Sequence, residues 1–136
     1  MASRPGAEWP YAEAPPVPDG HRVVGRIQRV SFGSGSATLD SEARGALANA
    51  VEEIRVNFGW TLLVVGLADK GGERGKATAL SRSRADTVKR FLEAKGIDGS
   101  RVVGMGLGAA YADAEDYEPE GRRADRAAEV WAFDAP

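Results

Sequence analysis

The chain has 136 residues, of which 43% are apolar and 28% are charged, a composition typical of one compact domain. Its formal net charge is -2, so no overall field attracts nucleic acid or an anionic membrane, and we expect no nucleic-acid partner. It contains no cysteine, which excludes disulfides, thiolate metal sites and cysteine nucleophiles.

The first twenty residues hold five of the seven prolines and show little periodicity. They are predicted to form an extended tail or linker before a domain at 21–136. This start lacks the continuous apolar segment of a signal peptide, and no apolar run approaches the roughly 18 residues that span a bilayer. Two interpretations remain open: the chain is a cytosolic protein, or it is a piece of a longer exported protein.

A first strand is predicted at 21–32, with Val24, Ile27 and Val30 as its apolar members and an irregularity near Gly25. A first helix follows within 38–59 and is capped at its start by Asp40 or Ser41, with Gly59 supplying the stop. Its predicted buried stripe has helical spacing and consists of Ala43, Leu47, Ala50, Val51, Ile54 and Phe58.

The run 60–68 is continuously apolar, which indicates a strand buried on both faces. A glycine-rich segment leads to a second helix at 80–95, which stops at Gly96. Strands at 101–107 and 125–133 complete the order β-α-β-α-β-β. Right-handed crossovers would place both helices on one face, so we expect an α+β two-layer sandwich with a mixed four-stranded sheet.

One charged pair is of particular interest. Arg84 lies beside the apolar stripe of the second helix, where a guanidinium loses solvation unless a carboxylate or fixed carbonyls meet it. The nearest candidate in the fold order is Asp69, directly after the buried strand, so we expect both to lie in one cleft. A purely structural ion pair, or an Arg84 that points outward, remains an equally weighted alternative.

Five segments around this pair resemble the OmpA-like peptidoglycan-binding domain family. VVGLADKGG is similar to the family's Gly-x-Thr-Asp-x-x-Gly, and LSRSRADTVKRFLEAKGI to its Leu-Ser-x-x-Arg-Ala helix. The remaining three are VSFGSGSATLDSEA, RVVGMGLGAA and EGRRADRAAEV, so that the resemblance extends over roughly 21–133.

The resemblance implies a noncatalytic module of the bacterial envelope that binds peptidoglycan through the diaminopimelate of the stem peptide. Asp69 would meet the ligand's amino group and Arg84 its carboxylate, in agreement with the chemistry of charge-assisted hydrogen bonds. Backbone amides from Ala68 to Gly72 would help, and Arg126 and Arg122 would be further contacts. The family also implies a periplasmic location and association with the outer membrane.

Several positions depart from the family's pattern. Ala68 replaces the threonine before the aspartate, Ala77 replaces an asparagine, Gly33 replaces an aspartate, and Ala127 replaces an arginine. Asp125 stands where the family has asparagine. Each lost hydrogen bond would weaken binding by about 0.5–1.5 kcal/mol. The alternative is therefore a degenerate structural or adaptor domain, which docks in a protein assembly, with the tail as a possible contact.

Other motifs favour neither a cofactor nor an enzyme. The glycines at 104–108 are not followed by a helical pattern, as a dinucleotide site requires. His21 has no metal-ligand partner at the usual spacing, and the acidic run 111–120 lacks the order of calcium ligands. Ser81 and Ser83 have no neighbouring histidine base. We expect Trp60, Trp131 and Phe133 to be core residues.

Overall fold

The computed structural model describes residues 8–69, 76–111 and 125–136. Within these ranges the chain forms, in order, β1 (Arg22–Ser31), α1 (Ser41–Val56), β2 (Trp60–Gly66), α2 (Ala77–Ala94), β3 (Val102–Gly106) and β4 (Ala127–Asp134). A short 3-10 turn at Gly99–Arg101 precedes β3. The predicted β-α-β-α-β-β order is confirmed.

The four strands form one mixed sheet in the order β1-β4-β2-β3. β4 runs antiparallel to both β1 and β2, whereas β2 and β3 are parallel. The carboxyl ends of β1, β2 and β3 therefore meet the amino end of β4 at one end of the sheet. The predicted irregularity in β1 is present, since its pairing shifts register between Val23 and Gly25.

Helix α1 begins as predicted, because the Asp40 carboxylate caps it by accepting from the amide of Ala43 at 2.8 Å. Its end differs from the prediction. The helix stops at Val56 with Asn57 as its C-cap, before Gly59. Phe58 therefore leaves the helical periodicity, and its assignment to the buried stripe is wrong: it is 83% exposed.

Both helices pack on one face of the sheet, which we call the inner face. The core there joins residues of α1 and α2 to alternate strand residues, including Leu47, Ile54, Leu62, Val64, Val88, Leu92 and Val130. This arrangement confirms the two-layer α+β prediction. No helix in the described ranges is both long and apolar enough to cross a bilayer.

The opposite face of the sheet, the outer face, has its own apolar layer, built on Leu63, Val65, Leu67, Leu107, Trp131 and Phe133. Trp131 and Phe133 are core residues as expected. Residues 8–20 contain no helix or strand, yet Trp9, Tyr11 and Val17 pack against this layer. The predicted tail is thus in contact with the sheet over its described part, while the domain boundary at residue 20 stays a prediction.

Candidate functional site

The candidate site lies where the strand ends converge, an end of the molecule that we call the loop edge: Phe32–Ser36, Leu67–Asp69, Leu107–Tyr111 and Asp125–Arg126. Backbone hydrogen bonds join these segments in two pairs. The amide of Phe32 donates to the Arg126 carbonyl at 2.7 Å. The amide of Ala68 donates to the Gly108 carbonyl at 3.0 Å. The backbone of the loop edge is therefore fixed by several elements at once.

Two glycines bring helix α2 against this edge. A Cβ on Gly66 would lie 1.8 Å from the Ser81 carbonyl oxygen, and a Cβ on Gly106 would lie 2.6 Å from the Arg82 amide nitrogen. Only glycine permits such a close approach of helix to strand. The Ser81 hydroxyl, buried between them, donates to the Thr78 carbonyl at 2.9 Å and accepts from the Gly108 amide at 2.9 Å.

Arg84 projects from this turn of α2 into the loop edge and is 0% exposed. Its guanidinium donates to the carbonyls of Ser36 at 2.8 Å, Leu67 at 2.9 Å and Gly33 at 3.1 Å. The ring of Phe32 lies beneath it, with 5.4 Å from Cζ to the ring centroid. Fixed carbonyls thus meet the buried cation, and the outward-pointing alternative for Arg84 is wrong.

Asp69 is also 0% exposed, and one of its carboxylate oxygens accepts from Arg126 Nε at 2.8 Å. The Arg126 side chain keeps 20% of its surface in solvent. Asp69 follows Leu67, a carbonyl partner of Arg84, by two residues, so acid and guanidinium stand at the same edge. In the described structure, however, both charges are buried among protein groups instead of lining an open cleft.

The remaining predicted site residues have different placements. Arg126 joins the site through its ion pair with Asp69. Ala68 is buried, and its amide is already bonded to Gly108, so the expected help from this particular amide is not available in this state. Gly72 and Arg122 lie outside the described residues.

A buried charge away from the loop edge was not anticipated from the sequence. Glu129 in β4 is 2% exposed and points to the outer face, where its carboxylate accepts from Tyr11 Oη at 2.6 Å and Trp131 Nε1 at 3.0 Å. Arg29 and Arg26 approach the other oxygen at 2.8 and 3.3 Å. A lone acid inside the apolar run AAEVWAF is the signal that could have drawn attention to it.

The Glu129 contacts affect the titration of Tyr11. Burial, followed by the hydrogen bond to Glu129 and the negative charge of that carboxylate, raises the pKa of the Tyr11 phenol well above its usual value. Within the described ranges, no three histidine, aspartate or glutamate side chains gather as metal ligands would. Most of the acidic run considered for calcium lies outside these ranges.

The sequence matches one family of known proteins. The model of the OmpA family matches residues 31–126. The chain is 32% identical over 130 residues to Outer membrane protein A of Bordetella avium, covering 93% of this chain and 66% of that protein. It is 28% identical over 101 residues to Peptidoglycan-binding protein ArfA of Mycobacterium tuberculosis, covering 74% and 31%. The chain thus spans less than two thirds of these relatives.

Solved structures have the same fold. The peptidoglycan-associated lipoprotein of Burkholderia pseudomallei superimposes with a TM-score of 0.71 at 20% identity, covering 76% of this chain and 88% of that one. The C-terminal domain of Helicobacter pylori MotB gives 0.72 at 16% identity, covering 80% and 85%. The cell wall anchor of the T6SS from Pseudomonas aeruginosa gives 0.65 at 26% identity, covering 84% and 87%.

Proposed function

Because the chain belongs to the OmpA family, we propose that it binds peptidoglycan without catalysing a reaction, and so anchors an envelope protein to the cell wall. The ligand group is the diaminopimelate of the stem peptide. The names of ArfA and of the T6SS cell wall anchor support the general activity. The location that follows is the periplasm, at the outer membrane or the cell wall.

The observation that carries the proposal is that one carboxylate and one guanidinium, Asp69 and Arg84, are both held at the loop edge. Asp69 follows β2 by three residues, and Arg84 reaches the carbonyl of Leu67 from α2, so the segment after β2 and the helix hold the two charges. The free end of diaminopimelate carries an ammonium and a carboxylate, which require an anion and a guanidinium held apart. Rigid placement limits the entropy that the protein loses on binding.

In the proposed complex the ammonium pairs with Asp69 and the carboxylate with Arg84. Because both side chains are buried, the ligand has to exchange protein contacts for its own. Arg126 is the partly exposed member of the Asp69 pair, so its displacement is the simplest entry to the carboxylate. Gly72 and Arg122 remain family-based candidates for further contacts, as does the backbone from Ala68 onward.

A second function competes with the first. In this alternative the domain is a degenerate adaptor that docks in a protein assembly and no longer binds peptidoglycan. The burial of Asp69 and Arg84 favours it, since both charges already have protein partners. The apolar replacements at Ala68, Ala77 and Ala127 favour it as well, because they remove polar groups that the family pattern offers to a ligand.

Retention on purified sacculi tests the proposal. We expect the unmodified chain to be retained, and Asp69→Asn and Arg84→Lys each to weaken retention by about tenfold or more. The first variant removes the anion that pairs with the ammonium, and the second removes the planar pair of donors that a carboxylate accepts from. Matched controls are Asp86→Asn and Arg82→Lys, which alter an exposed ion pair on the same helix. Both controls should be retained like the unmodified chain.

Two results would argue for the adaptor. The first is no retention of the unmodified chain. The second is equal retention of a folded Asp69→Asn variant, with folding verified by its amide NMR spectrum. If Arg84→Lys does not fold, competition of the unmodified chain with soluble diaminopimelate peptide replaces it, and failure of that peptide to release the protein from sacculi contradicts the assigned ligand.

A further inference from the structure

The described part of the N-terminal segment, residues 9–17, lies across the outer face of the sheet, and we call it the N-terminal strap. The Trp9 ring packs edge-on against Trp131 and Phe133, with centroid distances of 5.3 and 5.9 Å. The Tyr11 hydroxyl donates to the buried Glu129 at 2.6 Å. Two ring contacts and a part-buried charge-assisted hydrogen bond therefore anchor one end of the strap.

The strap is held by side chains and adds no strand to the sheet. Its backbone-to-backbone hydrogen bond in the described structure closes a local turn, from the Val17 amide to the Pro15 carbonyl at 2.8 Å. Ordering such a segment costs backbone entropy at every residue, and only a few anchors offset that cost. Segments with these properties open at lower free energy than the core of the domain.

The strap also contacts Leu107–Tyr111, one of the four segments of the loop edge. The rings of Tyr11 and Tyr111 lie 4.9 Å apart, and the amide of Ala12 donates to the Tyr111 hydroxyl at 2.8 Å. That hydroxyl in turn donates to Glu13. Tyr111 thus receives three contacts from consecutive strap residues.

Leu107–Tyr111 is hydrogen-bonded directly to residues next to the two site charges. Within Leu107–Tyr111, the Gly108 carbonyl accepts from the amide of Ala68, the neighbour of Asp69. The Gly108 amide donates to the Ser81 hydroxyl, one helical turn before Arg84. A chain of contacts therefore runs from the strap through Tyr111 and Gly108 to the backbone that carries both site charges.

We propose that the outer face is a binding site for an aromatic peptide segment, that the chain's own strap is its reversible occupant, and that occupancy holds Leu107–Tyr111 in place at the loop edge. The site recognises two aromatic rings spaced as in Trp-Pro-Tyr, with a hydroxyl that reaches Glu129. Release of the strap loosens the loop edge. The effect of strap release on peptidoglycan binding rests on the proposed function. The coupling between the strap and the loop edge does not.

Amide hydrogen exchange on the full chain without ligand tests this proposal. In Trp9→Ala/Tyr11→Ala we expect the amides of Ala68 and Gly108 to exchange about tenfold faster, because the loop edge opens more often. The amides of Leu47 and Val51 in α1 should change little. The matched control, Glu8→Gln/Asp19→Asn, alters two exposed charges near the two ends of the strap and should leave all four amides unchanged.

The second measurement adds the missing strap back as a separate peptide. A synthetic peptide of residues 8–18, at about 1 mM, should restore slow exchange in the double variant, since it replaces the lost occupant at a concentration comparable to that of a tethered segment. The same peptide with both aromatic residues changed to alanine should not. If the double variant does not fold, Tyr11→Phe, which lacks only the hydroxyl, takes its place with the same measurements.

Three results would overturn the proposal. They are unchanged exchange at Ala68 and Gly108, an equal acceleration in α1, which would make the strap an ordinary part of the core, and no restoration by the peptide. Because every readout is made without peptidoglycan, failure here leaves the proposed function standing. Failure of sacculus binding likewise leaves the coupling intact.

Discussion

Arg84 is the residue whose environment says most about the site. A buried guanidinium is stable here because its planar array of donors meets three backbone carbonyls in fixed positions, from Gly33, Ser36 and Leu67. A lysine ammonium cannot reproduce this divergent geometry. Arg84 therefore links the loop after β1 to the residue that follows β2 before any ligand is present.

We predict that Arg84→Lys lowers the free energy of unfolding by about 2–5 kcal/mol, since lost hydrogen bonds leave buried carbonyls unsatisfied. Urea denaturation measures this change. Arg82→Lys is the matched control on the exposed side of α2 and should stay within about 0.5 kcal/mol. A loss for Arg84→Lys no larger than that of the control would show that the carbonyl contacts contribute little.

Tyr11 gives the strap a dependence on pH. Burial and Glu129 raise the pKa of its phenol above the ordinary value of 10.0, so the folded state retains the proton more tightly than the unfolded chain does. The contribution of Tyr11 to stability is therefore complete below about pH 10 and is lost as the pH rises beyond it.

We predict that the stability difference between the unmodified chain and Tyr11→Phe is constant from about pH 7 to 9 and shrinks above about pH 10. Urea denaturation of both proteins across this range measures the difference, and effects of other titrating groups cancel in the comparison. A difference that stays constant up to about pH 11 would contradict a pKa of Tyr11 raised by burial and by Glu129.

At the level of elements, the contact of α2 with β2 and β3 determines where the site charges stand. Gly66 and Gly106 allow the helix backbone to touch the strands at the turn that carries Ser81, one turn before Arg84. The Ser81 hydroxyl then bonds the loop after β3. A displacement of this turn would shift Arg84 away from its carbonyls.

We predict that Gly66→Ala destabilises the fold by at least about 3 kcal/mol, because the new methyl group would overlap the Ser81 carbonyl. Gly104→Ala is the matched control in the neighbouring strand. A Cβ there meets Ala85 Cβ and Asp86 Oδ1 at 3.8 Å, which is ordinary contact. Thermal unfolding compares the two variants, and similar melting temperatures would refute the close approach.

Periodicity and capping residues predicted the elements well because they are local signals. The cap at Asp40, the stop at Gly96 and the irregularity at Gly25 all follow from one or two residues. The misplacement of Phe58 has a local cause as well. The C-cap formed by Asn57 competes with the glycine stop, and spacing alone does not decide between them.

The site was predictable only in part. The sequence order places Asp69 and Arg84 near each other, but the partners of buried charges depend on contacts between distant segments. Arg126 is 57 residues from Asp69 along the chain, and the Gly33 carbonyl is 51 residues from Arg84. Such pairings follow from the sheet order β1-β4-β2-β3, which the element order alone does not determine.

At the scale of the whole molecule, the sheet has two covered faces. The helices cover the inner face, and Trp9 and Tyr11 of the strap cover part of the outer one. The five prolines and weak periodicity of residues 1–20 predict an extended tail or linker. Proline does not prevent packing, however, and the aromatic residues between the prolines find a complementary apolar surface.

The central claim is that the loop edge, with Asp69 and Arg84, receives the diaminopimelate end of a stem peptide. Its most direct test is a titration of the unmodified, isotope-labelled chain with that peptide, followed by amide NMR. We expect saturable shifts at Leu67, Ala68, Asp69 and Gly108, with α1 unaffected. No shift at millimolar peptide, or shifts confined to residues away from the loop edge, would contradict it.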